Sequence, residues 1–276
     1  MTIALTGAGS ILLGEGEACD PTPFLRTRKS RKFMGLQDEL AVVAAGRALA
    51  SAGLAAADLG ERAGLFLAVG YIPFLEEDIA PVLAASMNDE GDRFDVRRFG
   101  AGGFQKAHPL LTFRCLPNMP AYHVSACFDV QGPYFVTYPG GSEFYSALDE
   151  ARYALESGLV DIALAGAVAA QSNFLVQHHF SRIEPPQPRL HDVAAMLVLE
   201  RAPSPRAKGK LEELAISYVP PSLETYASPG RPASSFGPAA LPHSLSELLA
   251  NGRVAEMDDE LVARDGVRAT SRWSFT

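Results

Sequence analysis

The sequence predicts an α/β fold, a mixed sheet covered by helices, on three observations. Leu36 to Ala52 and Phe144 to Leu155 place apolar residues at helical spacing. Ala63–Gly70 and Val160–Ala169 are short continuous apolar runs, the pattern of strands buried on both faces. The two kinds of segment alternate along the chain, in the order βα, βα(α), βα, βββ.

Taken in order, Thr2–Gly7 is a first strand closed by a Gly-Ala-Gly turn. After a basic stretch, LQDELAVVAAGRALASAG forms a helix that Gly53 stops, because glycine accepts the left-handed conformation there. The strand Ala63–Gly70 follows, then one helix near residues 76–88 and a loop to about 115. LPNMPAYHVSACFD turns helical after Pro120, and YFVTY (Tyr134–Tyr138) is a β-rich strand. Ser142–Glu156 is the second amphipathic helix, and Val160–Ala169, Ala194–Glu200 and Leu211–Tyr218 are strands. After Val219 the composition shifts to Pro, Ser, Ala and Gly. The expected organisation is a domain over 1–220, followed by an arm and a short helix, LSELLANG, over 221–276.

At 276 residues, 47% apolar and 20% charged, the chain has ample material for a core. A net charge of −8 counts against nucleic acid and anionic membranes as partners. No apolar run is long enough for a membrane span, and the start lacks the basic segment of a signal peptide. Cys19, Cys115 and Cys127 have neither disulfide nor metal spacing, so a reducing cytoplasm is expected. GxGxxG and the P-loop lysine are missing, and His178-His179, adjacent in sequence, point about 100° apart on a helix. No cofactor and no metal are expected.

The turn Tyr138-Pro139-Gly140-Gly141-Ser142 joins a strand to a helix amino terminus, where dipole and free N–H groups lower a thiol's pKa. It carries no cysteine. Ser142 reads as a helix cap or a serine nucleophile, and Cys127 as a buried thiol or an alternative nucleophile. His123 and His191 read as structural. Arg26, Arg28, Lys29, Arg31 and Lys32 form either a solvated face or a dock for an acidic partner.

Four segments in order resemble the amino-terminal half of β-ketoacyl synthases, members of the thiolase superfamily: RKFMGLQDELAVVAAGRALASAGL, LPNMPAYHVSACFDVQGPYF, ALDEARYALESGLVDIALAGAV and AAMLVLERAPSPRAKGK. They cover roughly residues 1–220. The resemblance implies a thiolase-like fold of one amino-terminal-type half, with the second half missing. Counted from Gly132-Pro133, the family's catalytic cysteine falls on Gly141. The family's histidine motifs, EAHGTGT and GFGGHN, have no match after Val219, and His191–Ala195 replaces its GEGAG.

The implied role is that of a non-catalytic subunit of the chain-length-factor type. It would pair with a full-length ketosynthase and wall its acyl tunnel in fatty acid or polyketide (aryl-polyene-like) biosynthesis. The family pairs the strand before the nucleophile across a dimer axis, which places Tyr134, Phe135, Val136, Tyr138 and Phe144 at the interface or tunnel. An acyl carrier protein is the acidic partner expected on the basic run. Chain length factors carry glutamine where this chain has Gly141. Two alternatives stand beside this role: an acyltransferase or thioesterase using Ser142 or Cys127, and a homodimeric binder of acyl groups or acyl carrier protein.

Overall fold

A computed structural model describes residues 2–54, 59–140, 142–183, 189–220, 235–252, 255–263 and 266–276. The strands are β1 (Ile3–Leu12), β2 (Ala63–Val69), β3 (Tyr134–Thr137), β4 (Ile162–Ala170), β5 (Asp192–Arg201), β6 (Gly209–Tyr218), β7 (Glu256–Val262) and β8 (Val267–Phe275). The helices are α1 (Leu36–Ser51), α2 (Glu76–Ala84), α3 (Val96–Ala101), α4 (Leu111–Cys115), α5 (Met119–Phe128), α6 (Glu143–Glu156), α7 (Phe174–Ile183) and α8 (Ala240–Asn251).

The eight strands form one mixed sheet in the order β3-β2-β4-β5-β1-β6-β8-β7. β2 runs parallel to β3 and β4, and the remaining neighbours are antiparallel. The fold class expected from the alternation is what the structure has. Along β2, Leu65, Leu67 and Val69 belong to one core while Phe66 and Ala68 belong to the other, so this strand is covered on both faces. That is why it reads as an unbroken apolar run.

α1 covers the first core through Leu40, Val43, Ala44 and Ala48. Its small residues let it lie directly on β1: a Cβ built on Gly9 would stand 2.3 Å from the Ala48 nitrogen. Gly53 ends the helix in the left-handed region at φ +73°, as its position predicts. α6 and α8 cover the second core, where Phe144, Leu148, Leu155, Leu245 and Trp273 are buried.

The tail departs from expectation. Loop and one short helix were expected after Val219. The helix is there as α8, but β7 and β8 add two strands to the sheet. The reason lies in an alternation that reads as polar: Ala269, Ser271 and Trp273 are buried while Arg268, Thr270 and Arg272 face outward. Tyr145 of α6 donates its hydroxyl hydrogen bond to Asp259 of β7, tying the added strands to the helical layer. Residues 221–234 of the expected arm lie outside the described residues. The loop expected before residue 115 contains the short helices α3 and α4.

Candidate functional site

The strand-to-helix turn after β3 sits at the carboxyl end of the parallel strands. Thr137, the last residue of β3, donates from Oγ1 to the carbonyl of Glu143 at 3.1 Å and so clips the strand to the start of α6. Gly140 takes φ +159° within this turn. Gly141, where the resemblance places the family's nucleophile, lies outside the described residues. Ser142 is at the N-cap position of α6, 2% exposed, and its carbonyl accepts from the Tyr145 N–H at 3.0 Å. Its side chain makes no capping hydrogen bond, contrary to the capping reading. The helix dipole still points at the turn, but the Ser142 hydroxyl is closed off from bulk solvent.

The residues expected at an interface divide into two sets. β3 forms one margin of the sheet, with β2 as its ladder partner on one side. On it Tyr134 is 68% exposed, Phe135 and Val136 are half-buried, and Tyr138 just beyond is exposed. Phe144 is different: it is fully buried in the core under α6. The opposite margin, β7, carries Glu256, Asp258, Asp259 and Glu260. One margin of the sheet is therefore uncharged and the other acidic.

Cys127 is half-buried on α5, against the α1 core, with its carbonyl accepting from Arg26 Nε at 3.2 Å. Burial raises its thiol above the ordinary value, which leaves little thiolate at neutral pH. Burial likewise pushes Cys19 up to about 12 and Cys115 to about 11.

His123, also on α5, is 3% exposed, and its Nε2 lies 3.9 Å from Asp38 Oδ2 on α1. Burial lowers the imidazole, and it raises Asp38 to about 8, against the pull of a hydrogen bond from the Gly35 N–H. At that separation, with both groups out of water, the pair is a neutral carboxyl beside a neutral imidazole rather than a salt bridge.

The basic run divides as well. Arg31 is spent internally on Glu39, Asp20 and the Cys19 carbonyl, and Arg26 on Cys127 and Asp129. Arg28, Lys29 and Lys32 remain exposed, with the Lys32 ammonium 4.6 Å from the Phe33 ring centre.

The fold also assembles groups that spacing alone does not reveal. Tyr71 and His179 share a hydrogen bond at 3.1 Å between the hydroxyl and Nε2. His191 stacks on Phe236 at 5.4 Å, and His243 meets the same Phe236 ring at 5.1 Å. Gln171 holds that segment down by donating to the Ser235 carbonyl at 2.7 Å. Among the described residues no cluster of His, Cys, Asp or Glu could hold a metal ion, and no helix is long and apolar enough to cross a membrane.

The result is a mixed sheet between two helical layers, with a helix amino terminus closing the turn after β3. Residues 6–196 match the model of the β-ketoacyl synthase, N-terminal domain, and the chain belongs to that family. Solved structures agree on the fold across the whole chain. One is a type II PKS acyl-carrier protein in complex with its ketosynthase, at 13% identity and TM-score 0.75, covering 100% of this chain and 99% of that one. A β-ketoacyl synthase from Burkholderia phymatum STM815 gives 14% identity, TM-score 0.69 and the same coverages. The ishigamide ketosynthase/chain length factor gives 17%, 0.67 and again 100% and 99%. No curated protein matches the sequence.

Proposed function

We propose that this chain is a non-catalytic ketosynthase-like subunit that pairs with a full-length ketosynthase and shapes its acyl tunnel. The observation that carries the reading is the asymmetry of the sheet margins. Among the described residues β3 has no ladder partner on its outer side, Tyr134 is exposed and YFVT carries no charge, whereas β7 is lined with carboxylates. Charges on a margin strand block pairing with another chain, and their absence leaves it open. Exposed aromatic side chains there supply anchors of the kind interfaces use.

Three further points support it. Glycine stands at the position aligned with the nucleophile. The half-buried Cys127 thiol is raised, and Ser142 is closed to solvent, so neither is poised for acyl transfer. Similar structures include a ketosynthase/chain length factor and a ketosynthase held with its acyl carrier protein. For such a carrier, Arg28, Lys29 and Lys32 are the exposed part of the basic run.

The test is co-purification with a ketosynthase from the same gene cluster, followed by light scattering. A one-to-one complex is expected, and Tyr134→Lys is expected to abolish it while leaving the isolated chain folded. In the reconstituted complex, Phe135→Ala or Tyr138→Ala should shift product chain length. A complex insensitive to Tyr134→Lys, or acyl-thioester turnover by the isolated chain, refutes the reading.

A further inference from the structure

Phe236 stands between two imidazoles. The His191 ring, just before β5, lies nearly parallel to it at an interplanar angle of 17°, and the His243 ring, on α8, meets it at 44°. Beside it, the Ser235 carbonyl accepts from the His191 N–H at 3.0 Å and from Gln171 Nε2. Gly237–Ala239 then make a short helical turn into α8. Gly237, at φ +53°, lets this turn close on the carboxyl end of β4, where a Cβ would stand 2.8 Å from Gln171 Oε1. The turn also touches α6, which begins at that end of the sheet.

His243 is the unusual member. Its Nδ1 is shut off from solvent and has no hydrogen-bond partner among the described residues. A neutral imidazole can leave that nitrogen without a proton, whereas an imidazolium carries an N–H on both nitrogens. Charging His243 therefore puts an unmet donor in a dry position, with a second ionisable ring across Phe236. A cation over a phenyl face is attracted to it, but by less than an unmet buried N–H costs. Little nearby charge offsets this. β1, β4 and the 237–239 turn carry no ionisable side chain. Arg189 and Glu247 are exposed, Glu143 stands in the first turn of α6, and Asp192 already accepts from Ser172. Burial is the main cause holding His243 below the ordinary histidine value, with Glu247 opposing it and His191 adding to it.

We infer that His191 and His243 form a proton-sensitive latch: as neutral rings they clamp Phe236 and hold residues 235–239 against the carboxyl end of β4, and protonation releases that segment. Release uncovers Ala169 of β4, together with Pro238 and Ala239, which are otherwise buried beside the start of α6. The direction follows from His243. Its contribution to closure is present above the ordinary 6.5 and is lost as pH falls below that value. A ring barred from protonation while the latch is closed favours opening about tenfold at one pH unit below 6.5. The latch lies within a single chain, so it does not rest on pairing through β3.

Hydrogen exchange of the full chain at pH 7.5 and 5.5, read by mass spectrometry and corrected for the intrinsic pH dependence of exchange, tests this. Amides of residues 237–248 are expected to exchange about tenfold faster at pH 5.5, while those of β4 and β5 stay within about twofold. His243→Gln should remove the acceleration, because glutamine cannot take up the charge. His191→Gln should reduce it, and this second variant decides the matter if His243→Gln does not fold. Phe236→Ala should exchange fast at both pH values. No acceleration in the parent, an equal acceleration in β4 and β5, or an undiminished one in a folded His243→Gln or His191→Gln chain overturns the inference.

Discussion

Replacing Asp38 by asparagine should flatten the dependence of stability on pH above neutrality. Asp38 is 1% exposed and ionises at about 8 in the folded chain, against 3.8 when unfolded, with burial the main cause. Between those values the unfolded chain gives up the proton and the folded chain keeps it. Folding is therefore favoured most below about pH 4, loses roughly 1.4 kcal/mol per pH unit up to about 8, and then levels off. The whole loss is on the order of 5 kcal/mol. His123 works in the opposite sense: its folded value is lowered, so its contribution is lost as pH falls through the ordinary 6.5. Measuring between pH 6.5 and 8 isolates Asp38, which alone should cost about 2 kcal/mol over that range. Asparagine keeps an oxygen for the Gly35 N–H, bonded at 2.7 Å to Asp38, but cannot ionise. Urea unfolding at pH 6.5, 7, 7.5 and 8 should show parent stability falling by about 2 kcal/mol more than that of Asp38→Asn. Parallel profiles would mean that Asp38 is ionised and paired with His123, and the neutral-pair description would be wrong.

Three more outcomes are expected. Trp273, the one tryptophan in the chain, is fully buried on β8, so its fluorescence should unfold at the same urea midpoint as the circular dichroism; an earlier fluorescence midpoint would separate the β7–β8 hairpin from the rest of the sheet. Gly9→Ala would force a methyl against the α1 backbone and should cost about 1–3 kcal/mol in urea unfolding. Tyr145→Phe removes the bond to Asp259 and should cost about 1–3 kcal/mol in the same assay, with unchanged stability refuting that tie.

Much of the sheet was legible because its central strands and covering helices carry one-sided or continuous apolar patterns. Leu36–Ser51, Ala63–Val69 and Glu143–Glu156 are the clearest examples, with Gly53 marking a helix end by its backbone alone. β7 and β8 were not legible in that way. Half their residues face water, and EMDDELV places four acids in seven positions, so the periodicity of two is masked by charge. The margin at β3 could be named from residue type and resemblance, yet Phe144, two residues beyond the turn after β3, falls in the core because α6 faces inward there. The contacts of His191, Phe236 and His243 join residues up to 45 positions apart by number, and no local pattern reports them.

The contrast between β3 and β7 has a consequence for assembly size. A chain that joins a partner along β3 uses up the uncharged margin, and the margin left to it among the described residues is the acidic β7 at the far end of the sheet. Association of this kind terminates after one step, giving a closed pair in place of a growing ribbon. At high concentration the protein should therefore populate discrete small complexes and resist fibre formation.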